Sequence, residues 1–234
     1  MENNYHPELT ILMPCLNEAG TVGVCVEKAK LFLKDNSIEG EVVVADNNSI
    51  DGSADIARKA GARVVNVPER GYGNAIMGGA KEARGVYIIV GDADESYDFS
   101  ALMPFLDKLR EGNNLVMGNR FKGGIEPGAM PFSHRYIGNP VLTGFGNMLF
   151  GHICGDYYCG LRGFHRESIL KLNLREQCMQ FAVEMLIMAK LADFKIAEVP
   201  IMLHTSPETH KSHIERWRDG RKTILLFISL KMYE

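Results

Sequence analysis

The first half of the chain repeats one hydrophobic pattern: a short apolar run, a polar break, then apolar positions spaced three and four apart. Leu9 to Met13 is a continuous apolar run stopped by Pro14, the pattern of a strand buried on both faces. Ala19 to Lys34 carries Val22, Val26, Ala29 and Leu33 at helical spacing. Glu41 to Ala45 is β-branched and ends at the polar cluster Asp46 to Ser49, as a strand entering a turn does. Ser53–Ala60 then reads as helix, Ala62–Val67 as strand, Asn74–Arg84 as helix and Val86–Val90 as strand. The strands do not alternate apolar with polar. This predicts an α/β fold whose mostly parallel central sheet is flanked by helices on both faces.

The second half is less regular. A fifth strand is predicted at Asn114–Met117. Lys122–Arg135 holds three glycines and two prolines and is expected as loop. Helices are predicted over Gly138–Gly151, Val183–Leu191 and His213–Tyr233, and strands over Leu161–Phe164 and Lys195–Met202.

In open sheets of this kind ligands gather outside the carboxyl ends of the strands. The unusual polar residues of this chain fall at those ends: Pro14 to Glu18, Asp46 to Ser49, Asp92 to Asp98, and Asn119-Arg120. One shared site is the expectation. Asp92-Ala93-Asp94 is the sharpest of these features. Two carboxylates one residue apart, where a strand breaks, suit a hard divalent cation that completes its shell with water and substrate phosphate. Asp46 is placed to accept a hydrogen bond from a nucleobase N–H. Asp51 or Ser53 suits the cap of the following helix. Gly71 and Gly73 would let backbone approach a phosphate or ribose, or simply turn the chain. Neither G-x-G-x-x-G nor G-x-x-x-x-G-K-[ST] follows the first strand, which argues against a dinucleotide fold or a P-loop.

Together these segments carry a resemblance. LTILMPCLNE, EVVVADNNSIDGS, GYGNAI, VGDADESYDF, MGNRFKGGIEPGAMPFSHRYIGNP, DYYCGLRGF and WRDGRK resemble glycosyltransferase family two, and within it the polyprenyl-phosphate transferases related to dolichol-phosphate mannosyltransferase. The resemblance implies a GT-A, Rossmann-like fold and inverting transfer from a UDP- or GDP-sugar to a polyprenyl phosphate, with Mg²⁺ or Mn²⁺. It implies that Pro14, Asn17, Glu18, Asp46, Asn48, Gly71, Gly73 and Asp92 hold the nucleotide sugar. Asp92, Asp94 and Ser96 would face the metal, Arg120 and Arg135 the phosphates, and Asp156 and Arg162 the acceptor side. The chain departs from the family at Gln180, where an acid is expected, and keeps Glu184.

Arginine's planar donor fork suits phosphate, and fixed cations with a metal stabilise the charge of a leaving diphosphate. An ionised phosphate acceptor needs no general base, whereas a sugar hydroxyl does. The chain shows no T-E-D-type second acidic pair, which favours the phosphate. A saccharide acceptor remains an alternative, because His213 to Trp217 resembles the Q-x-x-R-W of processive synthases. A sugar-phosphate nucleotidyltransferase is a second alternative. It would carry a glycine-rich basic loop after the first strand, where PCLNE has neither glycine nor cation.

Composition narrows partners and place. Net charge is −3, with no basic footprint for nucleic acid. The five cysteines at 15, 25, 154, 159 and 178 form no C-x-x-C pair, as expected of thiols in a reducing, cytoplasmic setting. No apolar run reaches the ~20 residues of a membrane span. The tail instead sets Lys211, Arg216, Arg218, Arg221 and Lys222 before Ile224–Leu230. A catalytic domain over 1–212 is therefore expected, followed over 213–234 by a basic amphipathic helix suited to the cytoplasmic membrane face. Family relatives continue into transmembrane helices, so membrane-embedded residues are expected outside this chain or from a partner subunit.

Overall fold

The computed structural model describes residues 7–207 and 216–232, the last segment by backbone alone over 216–219. Strands β1 (Leu9–Cys15), β2 (Gly40–Asp46), β3 (Arg63–Asn66), β4 (Tyr87–Val90), β5 (Leu115–Asn119), β6 (Arg162–His165) and β7 (Ile196–Pro200) form one sheet, in the order β3-β2-β1-β4-β6-β5-β7. The helices between them are α1 (Val22–Asp35), α2 (Ser53–Ala60), α3 (Tyr72–Glu82), α4 (Met103–Arg110), α5 (Arg120–Gly123), α6 (Asn139–Phe150), α7 (Arg166–Leu170), α8 (Phe181–Leu191) and α9 (Arg216–Lys231). A π-helical turn, His134–Gly138, leads into α6.

The apolar runs are strands because each is covered twice. Ile11, Met13 and Val44 pack into one core with α1, α2 and α4, while Leu12, Val43 and Ala45 pack into a second core with α3 and α8. Alternate residues of one strand thus face different cores, which is why no polar position interrupts them. The first half follows the expected pattern to within a few residues. The sequence reading passed over α4, although Leu102, Phe105, Leu106 and Leu109 are all buried at helical spacing. The segment expected as loop is mostly loop, bounded by α5 and by the π-helical turn.

The sheet is mostly parallel, with one reversed strand. β6 runs antiparallel to β4 on one side and to β5 on the other. Two reversals restore direction, so β5 and its parallel partner β7 end at the same edge as β1, β2 and β4. β6 begins where its neighbours end: Arg162 lies opposite Val90 and Met117. The reversal delivers Arg162 to the edge that holds the other polar clusters. Helix α9 docks on the second core through Phe227, which is fully buried among Phe145, Phe150 and Tyr157.

Candidate active site

The loops after β1 and β2 lock each other. Cys15 pairs with Asp46 in register. Beyond them Asn17 and Asn48 both take left-handed backbone, with φ of 60° and 67°, a conformation that asparagine tolerates better than most residues. Asn17 Oδ1 accepts from Ile50 N at 2.9 Å, and Asn17 N donates to Ser49 Oγ at 3.0 Å. Glu18 N donates to Ser53 Oγ at 2.8 Å. Asp51 accepts from the amides of Ala19 and Ser53, the cap expected from the sequence. Asn48 Nδ2 donates to the Pro68 carbonyl, so Asn17 and Asn48 shape the rim of the site as well as lying on it. Pro14 is buried at the end of β1.

Asp46 is buried, and only one of its oxygens is used. Oδ2 accepts a long bond from Ser49 N at 3.4 Å, while Oδ1 is buried with no hydrogen-bond partner. A buried carboxylate oxygen left without a donor is costly. A ligand N–H or O–H would supply the missing donor.

Gly71 and Gly73 have a packing reason. A β-carbon on either would run into the backbone of Glu176–Gln177. Gly73 N donates to the Gln177 carbonyl at 2.8 Å, and Gly71 N to Asn47 Oδ1 at 2.7 Å. Glu184, kept where its neighbour Gln180 departs from the family, accepts from the amides of Arg175 and Glu176. It thereby holds the loop against which the glycines pack.

The Asp92-Ala93-Asp94 turn follows β4. Burial, and then the charge of Asp94, push the Asp92 carboxyl up to about 7. A hydrogen bond from Tyr72 and the charges of Arg162 and Arg120 oppose that rise. Asp94 is buried too. Its Oδ1 accepts from Ser96 N at 3.0 Å and Ser96 Oγ at 2.6 Å, and its Oδ2 accepts from Ser206 Oγ at 3.1 Å. Ser96 thus orients Asp94 through its own hydroxyl. Among the described residues no group of three or more carboxylate, imidazole or thiol ligands converges. A two-carboxylate site still fits Mg²⁺ or Mn²⁺, since such ions commonly keep water and phosphate oxygens, and the repulsion that raises Asp92 is what a cation relieves.

On the far side of the site Arg120 and Asp156 form a bidentate pair, Nε to Oδ2 at 2.7 Å and Nη2 to Oδ1 at 2.8 Å, both buried. That fork is committed to Asp156, so the phosphate-binding role expected of Arg120 falls to the rest of its guanidinium. Arg162 is fully buried and donates to the carbonyls of Ala182 and Cys159, with its Nε unpartnered. Its charge counters that of Asp92. Arg135 is half-exposed on the π-helical turn, over the ring of Tyr136.

Several residues of this site went unremarked in the sequence reading. Glu198, on β7, accepts from Asn119 Nδ2 and Gly155 N, both at 2.7 Å, and pairs with Lys122. It fixes the loop that carries Asp156. Tyr97 Oη accepts from Gly160 N at 2.8 Å. Cys15, Cys25, Cys154 and Cys159 are buried thiols pushed up to about 12, chiefly by that burial, and pack as small apolar groups; Cys178 is exposed. Residues 208–215 lie outside the described residues, and with them Lys211 and most of the His213–Trp217 motif.

This geometry agrees with known proteins. The model of the family "Glycosyl transferase family 2" matches residues 10–172. The low-salt glycan biosynthesis hexosyltransferase Agl6 of Haloferax volcanii is 39% identical over 220 residues, which is 94% of this chain and 52% of Agl6. The chain therefore spans about half the length of that relative. The dolichyl-phosphate hexose transferase of the same organism is 30% identical over 195 residues, covering 83% of this chain and 82% of the relative. Among solved structures, glucosyl-3-phosphoglycerate synthase from Mycobacterium tuberculosis, in complex with Mn²⁺, uridine diphosphate and phosphoglyceric acid, superposes with a TM-score of 0.74 at 21% identity, over 96% of this chain and 78% of that one. That likeness makes the fold the GT-A fold expected from the sequence. With the family model spanning more than half of its length, the chain belongs to glycosyl transferase family 2.

Proposed function

We propose that the chain is the catalytic domain of an inverting transferase that moves a sugar from a UDP- or GDP-sugar to a polyprenyl phosphate at the cytoplasmic membrane face. One observation carries the acceptor assignment: an exposed apolar face beside the loop that bears Asp156 and Arg162. Phe132, Tyr136, Val141 and Met148 point outward from the π-helical segment and α6, at 73%, 57%, 61% and 71% exposure. Leu225 and Ile228 do so from α9, which packs on α6. Arg135 lies within this face, and Arg221 and Lys222 are exposed on α9. An apolar surface bordered by cations suits the boundary between head groups and acyl chains. No described helix is long and apolar enough to cross a membrane.

In this reading Asp46 accepts a hydrogen bond from the base or ribose, with Glu18 beside it. Asp94, oriented by Ser96, and Asp92 would hold Mg²⁺ or Mn²⁺, which neutralises charge on the leaving diphosphate. Arg135 and the uncommitted edge of Arg120 attract the acceptor phosphate. An oxygen of that phosphate attacks the anomeric carbon from the face opposite the diphosphate, which inverts the configuration. The acceptor is already ionised near neutral pH, so no side chain has to remove a proton.

The test is transfer of radiolabelled sugar from a panel of UDP- and GDP-sugars to short-chain polyprenyl phosphate or to soluble oligosaccharides. Label in the lipid fraction is expected. Label in the oligosaccharides alone overturns the acceptor assignment, and no label from any donor overturns the transferase assignment.

A further inference from the structure

Asp94 is held by donors from two distant parts of the chain. Ser96 belongs to the same turn, as a local Asx-type contact. Ser206 comes from the segment after β7, 112 residues further along. That segment is pinned just before Ser206. Leu203 N donates to the Gly124 carbonyl at 3.0 Å, and His204 N to the Ser96 carbonyl at 3.0 Å. Glu126 takes His204 Nδ1 at 2.7 Å and Thr205 N at 3.0 Å. The result is a strap fastened at 203–205 whose end rests on the acidic turn. His204, Thr205 and Pro207 form one wall of a cavity of about 440 Å³, with Lys28, Glu95, Tyr97 and Asp98 opposite.

Two carboxylates one residue apart in a buried turn need positive charge or aimed dipoles. Without a cation, hydroxyl donors fill that need. A cation binding at Oδ2 of Asp94 takes the lone pairs that Ser206 now uses, and the proton of Ser206 loses its acceptor. The neutral hydroxyl is also a weaker ligand for a hard cation than water or a phosphate oxygen in the octahedral shell that such ions demand.

We propose that Ser206 is a cation-sensitive latch: a divalent cation on Asp94 displaces the Ser206 hydroxyl and frees the end of the strap beyond its anchor at Glu126. This rests on assigning Asp92 and Asp94 to a divalent cation. Because the hydroxyl binds only the cation-free state, it sets both cation affinity and strap position, and each is biased by the same difference.

The experiment uses the full chain and Mn²⁺ alone, with free Mn²⁺ read by electron paramagnetic resonance and strap motion by hydrogen–deuterium exchange over 201–207. Ser206→Ala is expected to bind Mn²⁺ about three- to tenfold more tightly than the wild type, as expected on removing a hydrogen bond to a charged acceptor that competes with the metal. Exchange across the strap is expected to rise on adding Mn²⁺ to the wild type, and to be raised already in metal-free Ser206→Ala. Weaker Mn²⁺ binding in Ser206→Ala makes Ser206 a ligand and overturns the latch. Equal affinity with unaltered exchange overturns it as well, while leaving the cation assignment intact. Failure of the wild type and of Ser206→Ala alike to bind Mn²⁺, with Asp94→Asn as the reference, overturns the cation assignment itself.

Discussion

Arg120 grips Asp156 through two parallel hydrogen bonds of 2.7 and 2.8 Å, and the acid is completely buried. Removing one partner strands the other charge in the interior, which costs about 3–5 kcal/mol. Asp156→Ala is therefore expected to lower the free energy of urea unfolding by that amount. The apolar double variant Arg120→Met with Asp156→Leu should recover most of it, while transfer activity stays lost in both. An Asp156→Ala variant as stable as the wild type would refute the pairing.

Asp46 keeps one buried oxygen without a donor. If a nucleoside diphosphate supplies that donor, Asp46→Ala loses a charged hydrogen bond of about 1.5–3 kcal/mol, roughly a ten- to hundredfold weaker affinity. The loss is expected with and without metal, since Asp46 lies away from the acidic turn. Calorimetry with UDP and GDP reads it, and equal affinities in both proteins would remove Asp46 from the donor pocket.

The carboxyl of Asp92 gives a pH signature. An ordinary aspartate titrates near 4, and burial with the neighbouring Asp94 charge brings Asp92 up to about 7. Between about 4 and 7 the folded chain holds a proton that the unfolded chain has released. Stability of the metal-free protein is thus expected to fall as pH rises through that window and to level off above about 7. Mn²⁺ competes with the same proton, so its affinity should rise over the same range. Thermal unfolding from pH 5 to 8 checks both, and Asp92→Asn should flatten the slope. A wild type with the same slope as Asp92→Asn would contradict the shift.

Two glycines should respond in opposite ways. A β-carbon at Gly160 would collide with Asp92 Oδ2 and crowd the Tyr97 ring, whereas one at Gly144 in α6 meets open space. Gly160→Ala is expected to cost about 1–3 kcal/mol, as overpacking does, and to weaken Mn²⁺ binding. Gly144→Ala should add about 0.5–1 kcal/mol of stability. Chemical denaturation of the two variants side by side distinguishes them.

The donor side of the site was legible because its signals are local. Asp46 and Asp92 interrupt unbroken apolar runs, and a polar residue there has few reasons to exist other than a strand end. The parallel β1–β2–β4 arrangement follows from the same pattern. The direction of β6 was not legible, since RGFH carries too few residues for a period and its partners lie far away in sequence. For the same reason the bonds of Glu198 with Asn119, of Tyr72 with Asp92 and of Ser206 with Asp94 left no local trace. Gly71 and Gly73 were legible as special but not in what they meet, because the obstacle is a loop a hundred residues away.

The reversed strand also sets an order of assembly. β1 to β4 are joined by short crossovers and can collapse as the chain leaves the ribosome, with one flank of β4 still unpaired. That flank closes only when Arg162–His165 has been made and inserted between β4 and β5. Until then an apolar strand offers open backbone to any other strand in reach, a recognised route to misassembly. The acidic turn at the end of β4 meanwhile waits for the arginine that balances it. Partial products ending between β4 and β6 should be the chain's most aggregation-prone forms, and folding should be slowest at the step that threads the late strand into place.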